Sequence, residues 1–224
     1  MSETAAGRAG DPGRGRVLCF APHPDDEVLG AGGTLLRHVR RGDPVRVVIA
    51  TDGAAGDPDR RFDPARYTEM RRDESRAAAQ LLGWGEPRFW GLPDSCVVVE
   101  TDKVRLVSLV TEELSAFAPD LVYLPWAGDH NSDHLVLHEV VVRALVAVGF
   151  GGSAFGYEVW APNPQPDLVV DITDLVDDKR AGLRCFATQN AYNDLAHAVF
   201  GLNAYRSLLL ERSGGFGEAL TRVS

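Results

Sequence analysis

Cysteine is scarce in this chain: there are three residues, Cys19, Cys96 and Cys185, an odd number without a C-x-x-C pair. That usage argues against a disulfide framework and points to a reducing cytoplasm. Positive charge is also short. The 23 Lys and Arg are outnumbered by 32 Asp and Glu, giving a formal net charge of −9. Nucleic-acid affinity comes mainly from Lys and Arg neutralising phosphate, so this balance argues against a nucleic-acid reader. It equally argues against docking on an anionic membrane. No apolar run approaches the ~18 residues that a transmembrane helix needs. Residues 1–15, MSETAAGRAGDPGRG, lack the apolar stretch of a signal peptide and read as a disordered, frayed tail. Internal repeats and low-complexity tracts are absent as well.

What is present suits one core. At about 150 residues per domain, 224 residues imply a single domain, expected over 16–224. Apolar residues make up 45% and charged residues 25%, ordinary for a globular protein. From Arg16 onward, short apolar runs alternate with helical stretches. Strands are expected at Val17–Ala21, Val45–Ala50, Arg88–Gly91 and Leu121–Leu124, then at Tyr157–Trp160 and Leu168–Val170. Helices are expected at Val28–Arg40, Tyr67–Leu82, Lys103–Phe117 and Leu135–Val148, then at Leu175–Thr188 and His197–Glu211. This alternation implies βαβ units: an α/β fold, Rossmann-like, with a mostly parallel sheet and helices on both faces in three layers.

Ligands of such sheets bind beyond the carboxyl ends of the strands. The segments there are His23–Glu27, Thr51–Gly53, Pro93–Asp94 and Pro125–His134, and they hold most of the unusual chemistry. After the first strand stand His23, Asp25, Asp26 and Glu27; after the fourth, Asp129, His130, Asn131, Asp133 and His134. Adjacent carboxylates at the end of a buried strand repel one another unless a cation or donors compensate. Two histidines and a carboxylate form a known zinc set whose fourth position is left to water. A competing reading makes both clusters turns, with Asp25 or Asp26 capping one helix and Asp133 the next.

The string Ala21-Pro22-His23-Pro24-Asp25-Asp26-Glu27, followed by Leu29-Gly30 and Gly32-Gly33, resembles the PIG-L/LmbE-like family of zinc-dependent N-acetylglucosamine deacetylases. The likeness continues at Thr51-Asp52-Gly53, Arg71-x-x-Glu74, Gly128-Asp129-x-Asn131-x-Asp133-His134, Glu158-Val159-Trp160, Asp171-Ile172-Thr173 and Asp178-Lys179. The resemblance implies a zinc ion, with Fe2+ or another divalent ion as the alternative, held by His23, Asp26 and His134. It implies Asp25 as the general base toward metal-activated water, with Glu27 and Asp133 holding the ligands or their loop. The implied substrate is a small N-acetylated sugar or glycoconjugate. One position departs from the pattern: many relatives carry a histidine where this chain has Asn131, with His130 one place earlier. Asn131 can donate to an oxyanion but cannot act as a general acid. Either His130 protonates the leaving amine or Asp25 shuttles the proton, and Asp25 is favoured.

Substrate contacts are expected from Arg71, from Asp94 at the end of the third strand, and from Trp126 stacking on a sugar face. Arg60, Arg61 and Arg66 lie in a long loop that could form a rim. His138 makes an i, i+4 pair with His134, yet no catalytic Glu follows His134, so His138 reads as packing. His38 and His197 read as surface residues. The rival class is a Rossmann nucleotide-binding domain, with Gly30, Gly32 and Gly33 as its glycines. No G-x-G-x-x-G is present, and those glycines more simply let a helix approach the sheet. A non-catalytic member of the fold is the other alternative.

Overall fold

A computed structural model describes residues 8–95, 99–210, 212 and 214–223. The strands are β1 (Arg8–Ala9), β2 (Val17–Ala21), β3 (Val45–Thr51), β4 (Arg88–Leu92), β5 (Leu121–Pro125), β6 (Ser153–Tyr157), β7 (Leu168–Asp171) and β8 (Gly217–Arg222). The helices are α1 (Asp26–Arg40), α2 (Pro64–Leu82), α3 (Glu100–Phe117), α4 (Ser132–Ala147), α5 (Val176–Leu183), α6 (Ala187–Asn190) and α7 (Leu195–Arg206). All strands join one sheet in the order β1-β7-β8-β6-β5-β2-β3-β4. Pairing is parallel throughout except at β8, which runs antiparallel to β6 and β7.

Alternation along β2 explains the layers. Val17, Cys19 and Ala21 face one core, shared with Leu29 and Leu35 of α1, Leu82 of α2 and Phe200 of α7. Leu18 and Phe20 face the other, shared with Val110 and Leu114 of α3 and Val140 and Val141 of α4. A strand buried on both faces must be apolar at every position, which is why VLCFA reads as a continuous run. The expected three-layer α/β architecture is the observed one. Among the described residues no helix is long and apolar enough to cross a membrane.

Strand order also locates a crevice. From β2 the chain moves outward through β3 to β4, then crosses back to β5 and β6 on the other side of β2. The loops leaving β2 and β5 therefore diverge to opposite sides, opening a cleft at their carboxyl ends.

Several expected boundaries move. The sixth strand is Ser153–Tyr157, ending where a strand over Tyr157–Trp160 was expected to begin. Its Gly- and Ser-containing sequence carries a weak strand signal, but Phe155 and Tyr157 are fully buried by the neighbouring layers. The expected helix Leu175–Thr188 is interrupted between Leu183 and Ala187, giving α5 and α6. The last helix ends at Arg206 and tightens into a 3-10 turn at Ser207–Leu209, and Glu211 lies outside the described residues. Strand β8 follows Gly214-Gly215 and was not anticipated, because its half-polar GEALTR sequence resembles a loop. Of the segment expected to fray over 1–15, the described part from Arg8 onward is held to the fold. Arg8 and Ala9 pair with Leu168 and Val169, and Arg14 reaches Asp43. Cys19 and Cys185 are free thiols, and Cys96 lies outside the described residues.

Candidate metal centre

Strand β2 delivers its last residue to the cleft, and the turn His23–Asp25 leads directly into α1. The His23 N–H donates to Asp26 Oδ2 at 2.9 Å, and His23 Nδ1 lies 3.0 Å from the same oxygen. Asp26 is the first residue of α1, where the helix dipole favours a carboxylate. From the loop after β5, His134 on the first turn of α4 brings Nε2 to 3.1 Å from Asp26 Oδ2. Despite these distances, His134 Nδ1, His134 Nε2 and Asp26 Oδ1 are buried polar atoms without a hydrogen-bond partner. Buried polar groups are normally satisfied, so such orphans call for a ligand. Donor atoms of His23, Asp26 and His134 all lie within 4.8 Å of one another. Three atoms held about 2.0–2.2 Å from one ion lie within ~4 Å of each other, the scale of this cluster. The donor set fits a divalent cation.

Carboxylates back both imidazoles. His23 Nε2 lies 3.1 Å from Asp133 Oδ2 and 3.2 Å from Asp94 Oδ1. His134 Nδ1 lies 3.4 Å from Asp129 Oδ2. Asp129 is fixed in turn by the N–H groups of Asn131 and Trp160. Burial opposes charge on His134, but Asp26 and Asp129 outweigh it and lift the imidazole to about 9. The same contest raises His23, through Asp133, Asp26 and Asp94. Burial also works against Asp26, yet the two imidazoles hold it well below the usual carboxylate range. At Asp94 the His23 bond overcomes burial and brings the carboxyl down to about 2.

Asp25 is set apart. It occupies the position before α1 with φ 135°, a left-handed conformation that side chains rarely adopt, and it makes no side-chain cap. Its N–H donates to Glu27 Oε2 at 3.0 Å, and Ser75 donates to Glu27 Oε1 at 2.9 Å. Arg71 holds the preceding carbonyl, Pro24 O, and lies 3.3 Å from Asp25 Oδ2. Burial pushes Asp25 up to about 7, with Asp26 adding repulsion and Arg71 pulling the other way. Glu27, wholly buried, rises to about 8 mainly through burial. The capping-turn reading fails here, because the Asp25 carboxylate turns to Arg71 and Asp26 takes the His23 amide.

A pocket of about 160 Å3 covers these groups, bounded by His23, Asp25, Asp26, Arg71, Asp94, Asn131, Trp160 and Gln189 together with Gly53 and Gly56. Gln189 Nε2 donates to Gly56 O at 3.1 Å and to the Tyr67 hydroxyl at 2.6 Å, fixing the loop after β3. A Cβ at Gly53, where φ is +66°, would stand 3.0 Å from Pro24 and 3.3 Å from Arg71.

The family model described as GlcNAc-PI de-N-acetylase matches residues 18–145, more than half of the chain. The chain belongs to the PIG-L family. It is 29% identical to a 1D-myo-inositol 2-acetamido-2-deoxy-alpha-D-glucopyranoside deacetylase of Mycobacterium sp. (strain KMS), covering 78% of this chain and 74% of that protein. It is 30% identical to a probable N-acetyl-alpha-D-glucosaminyl L-malate deacetylase 2 of Bacillus anthracis, over 78% and 81% of the two chains. The solved 4-carboxy-2-hydroxymuconate hydratase of Pseudomonas putida KT2440 shares the fold, with TM-score 0.79 and 22% identity over 94% and 96% of the two chains.

The expected site residues of this PIG-L chain converge in part. His23, Asp26 and His134 gather as one donor cluster; Asp25, Arg71, Asp94 and Asn131 line the pocket above it. Glu27 and Asp133 stand directly behind. Asp133 backs His23 rather than its neighbour His134, because its position at the start of α4 turns it toward the loop after β2, and it also accepts the N–H of Ser95 from the loop after β4 at 2.9 Å. His130 is exposed and outside the pocket lining. Trp126 is displaced from the site as well. Its indole N–H donates to Ala161 O at 2.7 Å and its ring borders a different cavity, so Trp160 is the tryptophan at the pocket. Arg71 and Glu74 do not pair with each other; Glu74 accepts from Thr188. Arg60, Arg61 and Arg66 are exposed and outside the pocket. His138 contacts Pro125 O as a packing residue, and His197 is exposed. His38, expected at the surface, is buried between Asp43 and Tyr123.

Asp129, Trp160 and Gln189 were not anticipated as site residues. Asp129 had a signal: a carboxylate and an asparagine spaced to form successive Asx turns before a histidine. Gln189 and Trp160 arrive from distant elements; Trp160 lies in the Glu158-Val159-Trp160 segment of the family likeness, whereas the neighbours of Gln189 carry no hint.

Proposed function

We infer that this protein is a metal-dependent amide hydrolase that removes the N-acetyl group from an N-acetylglucosamine-type sugar or conjugate. The observation that carries the reading is the trio of unpartnered buried atoms on Asp26 and His134, converging with His23 beneath a pocket that also holds Asp25. Relatives named as deacetylases of 2-acetamido sugars support the substrate class. His23, Asp26 and His134 would hold a divalent cation, which when bound would supply Lewis acidity at the amide carbonyl and the attacking water, and two imidazoles with one carboxylate suit zinc.

The chain's own groups do the rest. Asp25 accepts the proton of the attacking water, and its elevated pKa of about 7 matches proton transfer near neutrality. Arg71 and Glu27 hold it in place from the side chain and the backbone. Asn131 Oδ1 is occupied by the Asp133 N–H at 2.8 Å, which leaves its amide nitrogen to donate to the carbonyl oxygen as negative charge develops. With His130 exposed, Asp25 returns the proton to the leaving amine. Asp94 and Gln189 offer hydrogen bonds to sugar hydroxyls. The acidic balance supports a small-molecule partner rather than nucleic acid. The free thiols support a cytoplasmic protein, with one catalytic domain that takes in β1 ahead of the expected boundary at residue 16.

The test is amine release from a panel of N-acetylated sugars and conjugates, with chelator and metal add-back. Expected is activity lost on chelation, restored by zinc, and absent in Asp26→Ala along with bound metal. A metal-loaded protein that releases no amine, yet hydrates an unsaturated acid, would overturn the assignment.

A further inference from the structure

The pocket has two unlike sides, and sheet order sets them. Strands β3 and β4 lie on one side of β2, β5 and β6 on the other. On the β3–β4 side stand Asp94, Ser95 and the Gly53–Gly56 backbone, with Gln189 bonded to Gly56: a wall of hydrogen-bonding groups. On the β6 side stands Trp160, 51% exposed. Behind Trp160 a second cavity of about 180 Å3 opens between α1 and α7, and Trp160 borders both. Leu29, Val159, Leu195, Ala198, Val199 and Leu202 make it apolar. The polar side chains at its edge are already engaged, Glu158 with Arg206 and Asn203 with Lys179 and Gly217 O. Leu29 and Gly30 follow Asp26 by three and four residues on α1, so the cavity begins about 4.5–6 Å along the helix axis from Asp26.

We propose that this cavity receives the acyl chain of the substrate, so that the enzyme favours N-acyl amino sugars with an acyl group longer than acetyl. The proposal rests on the amide-hydrolase reading above. With the carbonyl over the metal ligands and the sugar along Asp94 and Gln189, the acyl carbons leave the carbonyl toward Trp160. An apolar cavity of ~150 Å3 engineered into another protein binds benzene, so this one accommodates about six carbons. The chemistry is unchanged by chain length. Water adds to the carbonyl, the C–N bond breaks, one proton of the water passes through Asp25 to the nitrogen, and a carboxylate and a protonated amine leave. Chain length acts through burial, which is worth about three- to fourfold per methylene in kcat/KM.

N-acetyl-, N-butanoyl- and N-hexanoylglucosamine are compared for amine release by the metal-loaded protein and by Val199→Phe and Ala198→Trp, which fill the cavity from α7. Expected is a rise in kcat/KM of about tenfold from acetyl to butanoyl in the native chain, with the hexanoyl-to-acetyl ratio collapsing in both variants. Calorimetric titration of the Asp25→Asn variant with N-hexanoyl- and N-acetylglucosamine reads the same preference without turnover. A native profile that falls with chain length while the acetyl substrate is cleaved overturns the acyl cavity and leaves the hydrolase reading standing. Release of no amine from any of the substrates overturns the hydrolase reading, and the cavity assignment with it.

Discussion

Asp25 concentrates the local costs of this site. It is buried beside Asp26 and held at φ 135° by the Glu27 carboxylate on one side and Arg71 on the other. Asn shares the tolerance of Asp for unusual backbone conformations and keeps the side-chain shape, so Asp25→Asn isolates the acid–base role. It should retain stoichiometric metal and lose about 10²–10⁴-fold in turnover, checked by metal analysis beside amine release. Turnover at the native rate would remove Asp25 as the base. Asp129 acts one step further out. Its carboxylate faces His134 Nδ1 while accepting two backbone N–H groups, so it orients an imidazole that is itself fully buried. Asp129→Asn should keep the turn but weaken metal affinity by about 10–100-fold, measured by competition with a chelating dye.

At the scale of elements, α1 follows the turn that holds His23 and Asp25, and its seating on the sheet sets the position of the proposed ligand Asp26. Its glycines permit that seating. A Cβ at Gly30 would stand 2.8 Å from Glu158 O and would overlap the Tyr157 ring; one at Gly33 would stand 2.6 Å from Ile172. The helix is further pinned by ions. Lys179 Nζ donates to Leu29 O and Glu218, while Glu218 accepts the N–H groups of Gly33 and Thr34. These contacts account for Gly30-x-Gly32-Gly33 without a nucleotide. Gly30→Ala should push α1 off the sheet and cost about 1–3 kcal/mol. At about 2–4 °C per kcal/mol for a chain of this size, the loss is visible in a melting curve. Metal affinity should fall with it. An unchanged Tm would mean that the Tyr157 ring moves aside freely.

Over the whole molecule, the excess of acidic residues acquires a partial address. Asp25, Asp26, Asp94, Asp129 and Asp133 gather around two imidazoles and one buried arginine at a single sheet edge. Without a cation the imidazoles compensate by holding protons. His134, raised to about 9 from an ordinary 6.5, then contributes stability that is full below pH 6.5 and lost as pH rises through about 9. A bound cation must displace that proton, so its affinity strengthens over the same window. The Tm difference between zinc-loaded and chelated protein should therefore grow from pH 6.5 to pH 9. Calorimetry at fixed metal excess checks it; a difference that shrinks over this range would contradict the displacement.

Much of this was legible in the chain by itself, for a physical reason. Strand β2 is buried on both faces, so its residues had to be uniformly apolar. The cluster that follows it, His23 to Glu27, combines residue types too costly to place at a buried strand end without a compensating ion. Local chemistry of that kind leaves its mark on neighbouring letters: it marked the α/β class and the two clusters of acids and imidazoles, whereas the ligand trio and the base candidate were implied by the resemblance to the PIG-L/LmbE-like family. What only the tertiary structure decided depends on meetings between distant segments. It set Asp129 rather than Asp133 behind His134, and Trp160 rather than Trp126 at the pocket. It buried His38 against Tyr123 and Asp43, and brought Gln189 to the loop after β3. It also paired the half-polar β8 between β6 and β7. Each outcome was set by packing and strand order across the sheet, which one-dimensional periodicity does not encode.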